Sequence, residues 1–121
     1  MKAIKFLVFG AFTLTLISCQ TNNTLYDWGG YDESLYEYYH DPVKAQEFPL
    51  ALEAHLVQLE QNEQKPAPGL YAEVGTFKLK EGDISSAISY YEKEAEAWPE
   101  SAALMNAIIK NLKKQYGENN Q

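Results

Sequence analysis

Few side chains in this chain of 121 residues could do chemistry. It holds one cysteine, Cys19, and two histidines, His40 and His55. Neither histidine belongs to a His-Glu-x-x-His pattern, there is no Cys-x-x-Cys pair, and no glycine-rich phosphate loop precedes a helix. Gly29-Gly30 reads as a turn. His40 stands before Asp41-Pro42 at a helix end, where an imidazolium suits the negative pole of the helix. His55 flanks an apolar stripe that includes Leu52 and Leu56. No serine has a histidine and an acid in an arrangement that a sequence can support. Glu92, Glu94 and Glu96 alternate along a helix, so they spread around it as solvated charge instead of converging. These residues predict no catalytic group, no metal ligands, no cofactor and no small-molecule substrate: a protein that is not an enzyme.

Cys19 has a context of its own. Lys2 and Lys5 give a positive start, and Phe6 to Leu16 is an apolar run broken only by Gly10, Thr13 and Thr15. As a helix that run rises about 16 Å, roughly half of what a hydrocarbon core requires. Its length suits a secretory signal and falls short of a permanent span. "Leu16-Ile17-Ser18-Cys19" resembles the bacterial lipobox. The resemblance implies a diacylglyceryl group on the Cys19 sulfur, cleavage before Cys19, and acylation of the new amino terminus by a palmitate-type chain. A thiolate is the side-chain nucleophile that forms such a thioether at modest pH. Each buried methylene contributes about 0.8 kcal/mol, so several chains anchor the protein durably. That role would remove the only thiol from disulfide, metal or catalytic duty. Gln20 follows where an aspartate would mark inner-membrane retention, which resembles the outer-membrane default.

Charge excludes other partners. There are 17 acids against 10 bases, and every base is lysine. A nucleic-acid binder shows a basic stripe with arginine forks, and anionic lipid headgroups also want basic clusters. Neither nucleic acid nor a headgroup surface is expected as a ligand, so contact with the membrane rests on the Cys19 anchor.

The remaining chain reads as helices punctuated by Pro42, Pro49, Pro66, Pro68 and Pro99. Ile84, Ala87, Ile88, Tyr91, Ala95 and Trp98 recur at intervals of three and four, one apolar helical face. Asp83 caps that helix and Pro99 ends it. Leu70, Val74 and Phe77 line the helix before it, with Tyr71, Gly75 and Leu79 alongside and Pro68 in its first turn. Leu104, Ala107, Ile108 and Leu112 form a third stripe, widened by Met105 and Ile109. Phe48, Leu52, Leu56 and Leu59 mark a longer helix between Asp41 and Lys65, kinked or restarted at Pro49.

Helix, Gly-Asp turn, helix and proline over residues 68–101 resembles a tetratricopeptide repeat, whose period is about 34 residues. Gly75 and Ala87 take the small positions that let two helices approach, and Tyr71 and Tyr91 fill the space beside them. Lys78 and Glu94 depart from the aromatic and the alanine of that pattern. Residues 29–39 resemble a second repeat helix, with Ser34 and Tyr38 at the small and aromatic positions. The expected fold is therefore all-α, with tetratricopeptide-like hairpins and about five helices: one full repeat with flanking and capping helices. The expected organisation is a cleaved signal peptide over 1–18, a lipidated tether over 19–25, a helical domain over 26–116 and a disordered tail over 117–121. "Tyr26-Asp-Trp-Gly-Gly-Tyr-Asp-Glu-Ser-Leu-Tyr-Glu-Tyr-Tyr39", "Pro68-Gly-Leu-Tyr-Ala-Glu-Val-Gly75" and "Glu94-Ala-Glu-Ala-Trp-Pro-Glu-Ser101" together resemble a family of small bacterial lipoproteins, domain of unknown function 4810. The resemblance implies an outer-membrane lipoprotein related to a curli-export-channel-like lipoprotein, with no known activity.

One composition bias remains. Tyr26, Tyr31, Tyr36, Tyr38 and Tyr39, five of the nine tyrosines, crowd one short stretch around Trp28. On a helix Tyr31, Leu35 and Tyr38 share a face, while Tyr36 and Tyr39 point elsewhere. Either the helix over 42–63 buries both faces, or Tyr36 and Tyr39 belong to a patch that binds a partner, since tipped aromatics give contact area at little entropic cost. On the second reading Trp28, Tyr36, Tyr39, Tyr71 and Lys78 are the contact residues. The expected function is a non-catalytic adaptor anchored at the outer membrane and facing the periplasm. It docks a protein such as an outer-membrane lipoprotein or channel subunit, the curli-channel-like lipoprotein foremost. The alternatives are a pilotin-like chaperone for an outer-membrane channel and a peptidoglycan or glycan binder.

Overall fold

Breaks between helices fall at residues whose backbone chemistry suits a break. In the computed structural model, which describes residues 24–117, the helices are α1 (Tyr31–His40), α2 (Lys44–Gln61), α3 (Leu70–Lys80), α4 (Ile84–Ala97) and α5 (Ala102–Gly117), with a 3-10 turn at Pro99–Ser101. No strand occurs among the described residues, so the all-α class holds. The signal peptide over 1–18, Cys19 with most of its tether, and residues 118–121 of the expected tail lie outside the described residues.

Asp41 Oδ1 accepts from the Val43 amide at 2.8 Å and turns the chain from α1 into α2. Asp83 Oδ1 accepts from the Ser86 amide at 3.0 Å, the expected cap of α4. Two expectations about proline need correction. α2 runs unbroken through Pro49. The proline sits near the helix start, where it gives up only the bond its amide would make to Ala45, and burial of the flanking Phe48 and Leu52 holds the helix together. Pro68 lies outside α3, in the turn that Gly69 closes with φ 92° before Leu70 begins the helix.

The helices pack in chain order, α1 on α2, α2 on α3, α3 on α4 and α4 on α5. Phe48, Leu52 and Leu56 of α2 meet Leu70, Tyr71, Val74 and Phe77 of α3 in one core. Ala87 and Tyr91 of α4 meet Met105, Ile109 and Leu112 of α5 in a second. Burying each such leucine contributes about 1.5–3 kcal/mol. Gly75 joins the two cores: a Cβ there would lie 3.0 Å from the Tyr91 ring and 3.2 Å from the Ala87 carbonyl oxygen. The close approach expected of Gly75 and Ala87 is thus real.

The stripe expected on α5 is rotated. Met105, Ile109 and Leu112 are buried, whereas Leu104 is 62% exposed and Ala107 faces solvent. Residues at i, i+4 and i+7 on the Met105 side meet Ala87 and Tyr91, and only Ile108 of the remaining stripe is partly covered.

Candidate docking surface

α1 begins where Gly29 and Gly30, both with positive φ, turn the chain. Asp27 Oδ1 accepts from the Gly29 amide at 2.9 Å, and the His55 Nε2 of α2 donates to the Asp27 carbonyl at 3.0 Å. A side chain at Gly29 would run into the His55 ring at 2.7 Å. His55 is therefore a pin that seats the start of α1 on α2.

α1 then divides as the spacing of its tyrosines predicts. Tyr31, Leu35 and Tyr38 rest on the α2–α3 core. Tyr38 stands 5.6 Å from Phe48 and 5.7 Å from Phe77, centroid to centroid, and Tyr31 stands 5.8 Å from Phe48. The other face is bare: Tyr36 is 64% and Tyr39 73% exposed. α2 does not bury both faces. Tyr36 stacks on His40 at 4.0 Å, and the His40 Nδ1 donates to the Tyr36 carbonyl at 2.7 Å in the last turn. His40 is thus at the helix end, as expected, and also stiffens the Tyr36 ring. Asp32, Glu33 and Glu37 share this exposed side, which makes it acidic as well as aromatic. Trp28 is partly exposed and joins Tyr31, Asp32 and Thr24 around an open cleft of about 390 Å³.

Tyr71 and Lys78 are placed elsewhere. Tyr71 is only 7% exposed, and its hydroxyl donates to Glu60 Oε1 at 2.9 Å. Lys78 pairs with Glu53 at 2.7 Å and with Glu81 at 3.7 Å. Both are engaged inside the fold, apart from Tyr36 and Tyr39. The partners that hold them escaped sequence reasoning. Glu53 and Glu60, seven residues apart on α2, each take one tyrosine and one lysine. Glu53 binds Lys78 of α3 and Tyr90 of α4; Glu60 binds Tyr71 of α3 and Lys93 of α4. The heptad spacing of two glutamates beside Leu52, Leu56 and Leu59 was the available signal.

Titration follows from these bonds. The Lys78 hydrogen bond holds the Glu53 carboxyl below its ordinary range, against burial. Burial works to raise Glu60, but Lys93 and Tyr71 prevail and hold it low. Burial, then the bond to Glu53, pushes the Tyr90 phenol up to about 12. The same two causes, with Glu60 as acceptor, raise Tyr71 further.

Glu94 corrects another expectation. It is fully buried, at 0% exposure, while Glu92 and Glu96 on either side are exposed. Its Oε1 accepts from the Gly69 amide at 2.8 Å and the Ser101 hydroxyl at 3.3 Å. The pattern's alanine position is thus filled by a carboxylate that ties the turn before α3 to the turn before α5. Its Oε2 and the Trp98 Nε1 are buried without a partner. Among the described residues no group of three or more His, Cys, Asp or Glu could hold a metal ion, and no described helix is long and apolar enough to cross a membrane.

The described residues thus form an all-α stack whose first helix turns an aromatic, acidic face to solvent. The chain is a member of the family described as Domain of unknown function (DUF4810), which matches residues 25–108. No curated protein and no solved structure matches this sequence.

Proposed function

We propose that this protein is a non-catalytic docking module, anchored through Cys19 to the bacterial outer membrane, that binds a partner protein with the exposed face of α1. The observation that carries the reading is the pair Tyr36 and Tyr39, 64% and 73% exposed on a helix whose other side is packed. Tyrosines held out from a rigid scaffold give large contact area with few rotors to freeze. The α3–α4 hairpin, with Gly75 against Tyr91 and Ala87, supports a tetratricopeptide-like unit, a fold that presents helix faces and grooves to other chains. A lipid anchor would raise the effective concentration of both partners at one membrane. An outer-membrane lipoprotein or channel subunit is the favoured partner class.

The test is crosslinking in intact cells followed by mass spectrometry of what is joined to this chain. A recurrent protein partner, lost in Tyr36→Ala/Tyr39→Ala while the helical circular dichroism persists, is the expected result; unchanged partner recovery overturns it. The anchor is checked separately, since Cys19→Ala should leave the membrane fraction. A glycan ligand is the second reading, favoured by the Trp28–Tyr31 cleft with Asp32 on its rim. Lysozyme-sensitive sedimentation would select it.

A further inference from the structure

We infer that the partner surface on α1 accepts the outer face of α5 from a second copy of this chain, so that copies stack head to tail. The proposal rests on the docking reading above and names its occupant.

Because the helices pack in chain order, α1 and α5 stand at the two ends of the stack. A helical stack that ends in water normally ends in a polar cap. Each end here mixes charge of a single sign with exposed apolar or aromatic side chains. The outer side of α5 exposes Leu104, 62% accessible, with Ala103 and Ala107 beside it. Helical spacing sets Lys110 and Lys114 on this same side, and the sequence of α5 contains three lysines and no acid. The outer side of α1 offers the complement: Tyr36 and Tyr39 amid Asp32, Glu33 and Glu37. Of the other described helices, α1, α2 and α4 are net acidic and α3 holds two lysines against one glutamate. α5 is therefore the most basic described helix and the best match for an acidic face.

Complementary charge fixes the polarity of the contact. Two α1 faces repel each other, as do two α5 faces, so a symmetric dimer through either is disfavoured. An α5 face against an α1 face pairs lysine ammonium groups with carboxylates and tyrosine rings, and covers Leu104. Such a heterologous contact repeats from copy to copy and yields a ring or a row.

The test uses the full chain in cells, with Glu33→Cys on one face and Ala107→Cys on the other, oxidised in place and compared with the chain carrying Cys19 alone. Copies bearing Glu33→Cys should join copies bearing Ala107→Cys, neither variant should join itself, and a chain bearing both should give a ladder of dimers, trimers and larger species. Lys110→Glu with Lys114→Glu should lower the yield about tenfold, and adding Asp32→Lys with Glu37→Lys to that chain should restore it. Self-joined Glu33→Cys copies, or a yield indifferent to charge reversal, overturn the proposal. Glu33→Cys joined to a different protein overturns stacking and leaves the docking reading standing; no product of any kind overturns both.

Discussion

Between α3 and α4 the contact is as close as backbones allow, with Gly75 under the Tyr91 ring and against the Ala87 carbonyl. α1 meets the rest of the molecule through the far ends of rings, Tyr31 and Tyr38 leaning on Phe48 and Phe77, and none of its residues is fully buried. The first contact has no slack, so its geometry is decided by the absence of a methyl group. The second is adjustable, and its position is decided by the polar pin between His55 and Asp27. A close-packed hairpin thus serves as scaffold for a helix attached more lightly, and it is the lightly attached helix that carries the exposed tyrosines.

The comparison can be broken most severely at Gly75. Gly75→Val pushes two methyl groups into Tyr91 and should cost about 3 kcal/mol or more, lowering the thermal midpoint of the whole domain. A variant that melts like the parent would show that α3 and α4 have room to separate. Gly29→Ala should act on α1 alone. Its positive φ and the 2.7 Å approach to His55 predict a cost of about 1–2 kcal/mol, seen as faster amide exchange in α1 with α3 and α4 protected. His55→Ala relieves the steric part but also removes the bond to the Asp27 carbonyl, so the double variant should lose less than the sum of the two single losses.

Acid should sharpen the contrast, since the Glu53 and Glu60 contacts bind α2 to α3 and α4 and leave α1 untouched. Both carboxyls are held below the ordinary value of 4.5. Their contribution is therefore complete above that value and disappears as pH falls through the lowered folded values. Glu53→Gln should flatten the acid limb of the stability profile and cost about 1 kcal/mol at neutral pH. An acid limb unchanged in Glu53→Gln/Glu60→Gln would place the sensitivity elsewhere. The smallest effect belongs to Tyr36→Ala/Tyr39→Ala, which should shift stability by no more than about 0.5 kcal/mol in denaturant titration, because both rings already face water. A larger loss would make them part of the fold.

What could be read from the sequence follows the same division. α3 and α4 were legible because their signals are local: Asp83 caps, Pro99 stops, and Ala87, Ile88 and Tyr91 recur at helical intervals. The split of α1 was legible for the same reason, since Tyr31 and Tyr38 are seven apart and Tyr36 is not in phase with them. Residues that depend on distant partners were not legible. Glu94 reads as surface charge between Glu92 and Glu96 until the Gly69 amide and the Ser101 hydroxyl are brought to it. Tyr71 and Lys78 read as an open face until α2 covers them with Glu60 and Glu53. On α5, two apolar stripes overlap and only contact with α4 selects Met105, Ile109 and Leu112. Pro49 misled because neighbouring burial outweighs one missing hydrogen bond.

Tyr26 meets Trp98 edge-on at 5.4 Å, and the Lys65 ammonium lies 3.5 Å from the centre of the same indole. Considered as mechanics, these contacts clamp the chain ahead of α1. For a pull applied at Thr24, the Trp98 corner and the Asp27–His55 bond lie ahead of Tyr31 along the chain. These contacts join that end of the chain to the end of α4 and to α2, so α1 stands behind both of them.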